Sequence, residues 1–272
     1  MHSTESFLDC VIDNSQAANN AQHPVSASNI LKPLGIGVLR REEPAALAFH
    51  GRLDRWSALR LLKLDHLTVI APTLSKGVAH VRNCLDLDVP FGTRHDYMGT
   101  HNHRLQLGNS VYLEIVALDP EGTDPGRPRW FGLDNQEKVR SEWNEGRRLR
   151  GWVANTEAID SVLATHGAIF GDKVPLPTMD PNFAFTIPKD GSLPFDGLAP
   201  SIIDHRGDSS YVASIPDLGA RLHSFTLEYP DPTSIEALYR ELAIEHPPVI
   251  VQAPKVRYRA LIETSSGLRE LT

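Results

Sequence analysis

The sequence is poor in cysteine: only Cys10 and Cys84 occur among 272 residues, and neither belongs to a CxxC pair. That excludes a disulfide-stapled framework, gives no basis for a thiolate metal centre, and fits a reduced, cytoplasmic chain. Also missing is any apolar run near the roughly 20 residues that cross a bilayer. No basic stretch followed by an apolar one opens the chain, so no secretory leader is expected. Positive charge is in deficit, with 27 Lys and Arg against 34 Asp and Glu and a formal net charge of -7. Nucleic acid and anionic membrane surfaces are recognised by excess positive charge, so neither is expected as a partner. Several catalytic signatures are absent as well. The 12 histidines form no HExxH or HxxxH, and no GxSxG elbow occurs. Gly35-Ile36-Gly37 lacks the third glycine of a dinucleotide fingerprint, so no nucleotide cofactor is expected.

What is present is an ordinary globular composition, 41% hydrophobic and 22% charged, long enough for one large core or two small ones. Residues 1–57 are rich in Asn, Ser, Ala and His and read as an extension, partly disordered or wrapping the domain. Within it Ile30–Leu39 can be a strand or docking segment, and Ala58–Leu64 a short helical lead-in. Residues 58–272 read as one domain of repeated units. Leu64–Ala71 is a strand ended by Pro72, and Leu74, Val78, Val81 and Leu85 recur at helical spacing. Arg104–Leu107 and Val111–Leu118 are strands joined at Gly108-Asn109-Ser110, completing a β-α-(β)-β-β unit. A second unit starts at Gly151–Thr156 and a third at Leu222–Tyr229, each with a following helix and later strands. The first and third can be superposed: Pro72 and Pro230 both end an opening strand, and Arg104 and Arg259 both begin a penultimate one.

Strand alternation sorts the first unit into two faces. Leu67, Val69, Leu105 and Leu113 call for a helix against them. His66, Thr68, Asn102, Arg104, Gln106, Tyr112 and Glu114 share the other face. A face that polar either meets water, as antiparallel sheets often do, or lines a ligand pocket. His66 and Glu114 together are the usual beginning of a divalent-metal site. Without a metal, Glu114 needs a cation such as Arg104, Arg259 or Arg269. The Arg104 fork suits a substrate carboxylate or enolate, or that salt bridge. His101 and His103 fall on the opposite face, and His95 stands in a loop as a reserve ligand.

In their order along the chain, Leu64-Asp65-His66-Leu67, Gly99-Thr100-His101-Asn102, Leu107-Gly108 through Tyr112-Leu113-Glu114, Gly191-Ser192-Leu193-Pro194 and Ile202-Ile203-Asp204 resemble the glyoxalase-like branch of the vicinal oxygen chelate superfamily. The resemblance covers roughly residues 64–270. It implies an α+β fold of repeated β-α-β-β-β modules with curled mixed sheets around a central cavity. It also implies a small oxygenated metabolite as substrate, with lyase, isomerase or dioxygenase chemistry aided by a divalent metal (Fe, Mn, Zn or Ni). His66 and Glu114 match the ligands of one module, with Asp204 or His205 as partners from the second. In the third unit the matching positions hold Ser224 and Arg269. Arg104, Asn102, Gln106, Thr68 and Tyr112 would position the substrate and Trp152 would wall the pocket, with Glu114 as an alternative base. The same superfamily implies two other readings: a metal-free binding protein, and a metal-free isomerase or cyclase using Arg104 and Glu114. Modules of this kind close within one chain or between two chains of a homodimer, and repetition does not choose.

Overall fold

The structure, a computed structural model, describes residues 62–208 and 210–272. The expectations for residues 1–57 lie outside the described residues. So does most of the helical lead-in, and Leu62–Leu64 already belong to a strand.

Two β-α-β-β-β modules make one curled mixed sheet. The first is β1 (Leu62–Ile70), α1 (Leu74–Leu85), β2 (Phe91–His95), β3 (Thr100–Gln106) and β4 (Tyr112–Leu118). A linker carrying α2 (Gln136–Asn144) leads to the second: β5 (Leu149–Asn155), α3 (Ile159–Phe170), β6 (Asp172–Leu176), β7 (Phe183–Ile187) and β8 (Ser201–Asp204). The strand order β2-β3-β4-β1-β5-β8-β7-β6 shows the duplication, because each module has its first strand paired parallel to its last. The two first strands, β1 and β5, meet antiparallel at the centre.

The third unit is built differently. It comprises β9 (Arg221–Tyr229), α4 (Pro232–Glu241), the short β10 (Ile244–Glu245), β11 (Val249–Gln252), β12 (Arg257–Thr264) and β13 (Gly267–Leu271). Its sheet runs β11-β9-β12-β13, with β10 added to β1. The first strand lies between the second and third there, so the copy of module one is module two. The proline and arginine spacings that superposed the first and third units were coincidental in topology.

Local chemistry explains the framing elements. Thr73 caps α1 by accepting from the Lys76 amide, and Asp86 ends it in the left-handed region. Gly77 lets the helix lie directly on the sheet, since a Cβ there would sit 2.5 Å from Ile115 Cγ2. Leu67, Val69, Leu113 and Ile115 are fully buried beneath it and within the main core. Each such side chain contributes about 1.5–3 kcal/mol on leaving water. Trp152 lies in this convex-side core, edge-on to Phe225 and Tyr239, and its Nε1 donates to the Tyr258 hydroxyl at 3.0 Å. The third unit therefore packs against the back of the curled sheet and leaves the concave face for a site.

Candidate active site

The concave face gathers His66 and Thr68 from β1, Tyr112 and Glu114 from β4, and Asn102, Arg104 and Gln106 from β3. Register fixes their order: His66 pairs with Tyr112, Thr68 with Glu114, and Glu114 in turn with Arg104. One residue joins them against simple alternation. Leu64 pairs with Ala154 and His66 with Val153, so Asp65 is an extra residue bulged out of the β1–β5 ladder. The bulge brings consecutive Asp65 and His66 side chains into contact, with His66 Nδ1 donating to Asp65 Oδ1 at 2.7 Å. Asp65 is fully buried and also accepts from His205 Nε2 at 2.8 Å and Asn155 Nδ2 at 3.1 Å. Burial opposes its ionisation, but the hydrogen bonds from His205 and His66 win and hold the carboxyl well below its usual range.

His66 stands between two carboxylates. Its other nitrogen, Nε2, lies 3.4 Å from Glu114 Oε2, within ion-pair reach but without a hydrogen bond among the described residues. Burial favours the neutral imidazole, yet the bond to Asp65 and the interaction with Glu114 outweigh it, pushing the pKa up to about 9. The ring stacks on Tyr112, with centroids 4.4 Å apart. Glu114 is likewise buried, and burial alone would protonate it. His66 and the Asn102 amide, which donates to Oε1 at 2.6 Å, lower its pKa and keep it ionised. Asn102 is fixed from behind, its Oδ1 accepting from the Thr93 amide at 2.9 Å. His95, buried beside them, is pushed down to about 4 by desolvation and so stays neutral. Its Nδ1 lies 3.1 Å from the Thr100 hydroxyl.

These groups open on a cavity of about 30 Å³ lined by His66, His95, Glu114, Tyr112 and Tyr211, and walled by aromatic rings from the linker and β7. Gly92 of β2 makes this crowding feasible. A Cβ at that position would run into Asn102 Oδ1 and come within 2.7 Å of Arg104 Nε.

The other anticipated residues fall in different places. Gln106 Nε2 is bound to the Ile215 carbonyl at 2.7 Å, and the Thr68 hydroxyl is buried without a partner among the described residues. Arg104 does not touch Glu114; its Nη1 donates to the Tyr211 hydroxyl at 2.6 Å. Arg259, another suggested partner for Glu114, pairs with Glu228 and Glu270 in the third-unit sheet. Trp152 faces the convex-side core and cannot wall the cup. Asp204 is turned away, since Ile203 takes the concave face of β8, and its Oδ1 accepts from the Arg206 amide. His205 does approach, but it binds Asp65 and stacks on Tyr211 at 4.8 Å.

The four-ligand metal set does not assemble. Among the described residues no group of three or more His, Cys, Asp or Glu side chains is disposed to hold a metal ion. His66 and Glu114 do meet, but Asp204 is turned away and His205 is held by Asp65, so neither partner ligand joins them. The residues present therefore do not fit the superfamily's chelate centre. Sequence reasoning missed Asp65, because alternation sends it to the other face and a bulge leaves no mark in composition. It also missed Tyr211, a loop residue with no periodic context.

Comparison with known proteins places the chain. The family model for the glyoxalase-like domain matches residues 64–243. Among solved structures, a hypothetical protein from Staphylococcus aureus superposes with a TM-score of 0.50 at 10% identity, covering 76% of this chain and 92% of that one. A methylmalonyl-CoA epimerase from Streptomyces coelicolor, in complex with 2-nitronate-propionyl-CoA, matches at 15% identity with a TM-score of 0.33. That match covers 54% of this chain and 96% of the other. The epimerase from Mycobacterium tuberculosis gives 12% identity, a TM-score of 0.33, and coverage of 54% and 89%. No curated protein sequence matches the chain. The family model spans well over half the sequence, and the paired modules agree with it: the chain belongs to the glyoxalase-like domain family.

Proposed function

We propose that this protein is a small-molecule enzyme that isomerises an oxygenated substrate by moving a proton at a carbon beside a carbonyl. One observation carries this reading. The buried His66 ring is fixed at Nδ1 by Asp65, while its Nε2 has no hydrogen-bond partner among the described residues and lies 3.4 Å from a Glu114 carboxyl oxygen on the same cavity. An acid and a base in their working protonation states, side by side and out of water, are what enolisation requires.

In the forward step a Glu114 oxygen takes the proton from carbon. The C–H electron pair becomes the new C=C bond, and the carbonyl oxygen accepts the His66 Nε2 proton. The ion pair is thereby converted to neutral Glu114 and neutral His66, flanking an enol. Where the carbon that lost its proton carries a hydroxyl, the enol is an enediol: the carboxyl proton returns to the former carbonyl carbon, the proton of the other hydroxyl passes to His66, and the carbonyl re-forms on the second carbon with all atoms conserved. Asp65 orients the ring and stabilises its cationic form, and Asn102 aims Glu114. His66, not Arg104, is then the acid partner of Glu114.

The test is carbon-bound deuterium wash-in, followed by proton NMR in D2O over a panel of α-hydroxy ketones, α-hydroxy aldehydes and 2-oxo acids. Wild-type protein should exchange at least one of them. His66→Gln and Glu114→Gln should each lower that rate by about 10²–10⁴-fold. Exchange that persists undiminished in both variants, or none with any member of the panel, would refute proton transfer. Ligand binding without exchange would favour the binding-protein reading instead.

A further inference from the structure

Arg104 is a cation of the cup with no acid to meet it. Among the described residues its guanidinium reaches only neutral hydroxyls, Tyr211 at 2.6 Å from Nη1 and Thr93 at 3.5 Å from Nη2. Its Nε is buried with no partner, packed over Gly92. Glu114, directly opposite on β4, is turned to His66 and Asn102 instead. A half-buried guanidinium served only by hydroxyls is costly to keep, and its planar fork matches a planar two-oxygen anion.

Tyr211 stands between this cation and the catalytic pair. It lines the same cavity as His66 and Glu114 while its hydroxyl sits on Arg104, and its ring lies over the guanidinium at 5.6 Å. The cavity is about 30 Å³, room for one water-sized group. Rotation of the one side chain of Tyr211 would enlarge it and expose the fork of Arg104. The remaining walls include Trp130, Phe131 and Phe185, with Phe185 edge-on to both other rings. They suit a flat apolar skeleton.

We propose that the ligand of this cup is a small aromatic carboxylate. Its carboxylate takes the place of the Tyr211 hydroxyl on Arg104, and its ring fills the space that the Tyr211 phenol vacates. This names the substrate class for the acid–base reading and rests on that reading only for turnover. The carboxylate is preferred to a phosphate because the fork presents a narrow slot, one oxygen position at Nη1 and a second toward Nη2, beside the negative charges of Glu114 and Asp65.

The probes are phenylacetate, its neutral counterpart phenylacetamide, and phenyl phosphate, each titrated into the full chain by calorimetry and saturation-transfer NMR. Phenylacetate should bind at least about tenfold more tightly than phenylacetamide, and Arg104→Gln should abolish that preference. Arg104→Lys, which keeps the charge but loses the fork, should fall between. It also supplies the answer should the glutamine variant not fold. Tyr211→Ala, which removes the competing hydroxyl, should bind phenylacetate as well as wild type or better. Equal binding of acid and amide, selectivity surviving in both Arg104 variants, or no binding of phenylacetate to wild type overturns the proposal. Tighter binding of phenyl phosphate overturns the carboxylate assignment. His66→Gln should retain phenylacetate while losing deuterium wash-in, so loss of the proton-transfer reading and loss of the anion site are read separately.

Discussion

Replacing Asp65 by Asn tests the centre of the argument with almost no change of shape. The wild-type carboxylate accepts from three donors, His66 Nδ1, His205 Nε2 and Asn155 Nδ2. An Asn side chain offers one accepting oxygen and turns an amide group toward at least one donor. Breaking a buried, hydrogen-bonded charge pair costs about 3–5 kcal/mol, a large part of the 5–15 kcal/mol that holds a domain together. The midpoint of thermal unfolding should fall by roughly 6–20 °C for a chain of this size. The more specific effect is on His66. Its pKa stands at about 9 although burial pushes it down, and of the two carboxylates opposing that push Asp65 contributes more. In Asp65→Asn the His66 ring should titrate at least about one unit lower in a histidine-selective 15N–1H NMR titration. The same shift governs stability. The folded pKa lies above the ordinary 6.5, so this histidine's contribution is complete below pH 6.5 and lost as pH rises toward 9. The difference corresponds to about 3 kcal/mol. Urea denaturation of wild type should show that loss between pH 6.5 and 9, and the variant should show a flatter profile. A His66 that still titrates near 9 in Asp65→Asn would refute the carboxylate as the source of its charge.

Three further outcomes follow from the same geometry. Gly92→Ala should fold, yet lose at least about tenfold in wash-in rate, because its methyl displaces both Asn102 and Arg104. Retained activity with an unchanged melting point would show that β2 has slack the structure does not suggest. His95 is held neutral by burial, with a pKa near 4, so its contribution is present above pH 6.5 and lost as pH falls from 6.5 to 4. His95→Gln should therefore lose less stability than wild type between pH 7 and 4.5 in urea titrations, and an identical acid limb would contradict this. Trp152→Phe should lower stability by about 1–3 kcal/mol through lost packing and the lost bond to Tyr258, with phenylacetate binding retained. Loss of binding in a stable Trp152→Phe protein would put that ring back at the site.

The parts legible in the sequence are those governed by period. Alternation placed Leu67, Val69 and Leu113 against a helix and His66, Tyr112 and Glu114 on one shared face, and the helical spacing of Leu74 to Leu85 gave the element that covers the first group. Trp152, which the resemblance put at the pocket wall, lies instead against Phe225 and Tyr239. The second unit's opening strand begins at Leu149, and its Trp follows a bulge at Arg150 that pairs Gly151 with Thr68 and Leu149 with Val69. Bulges at Asp65 and Arg150 thus decide which side chains enter the cup, and a bulge is set by pairing with a distant strand rather than by its own residues. Asp204 and His205 stand apart from His66 and Glu114 for a related reason. Asp204 and His205 are adjacent, so alternation admits one of them at most. The concave position on β8 already belongs to Ile203, which leaves only His205, beyond the strand end, free to turn back. It turns to Asp65. That carboxylate is thereby bound between two imidazoles, His66 and His205. In this chain the features that depart from simple strand pairing are the ones that bring Asp65 and His205 to His66.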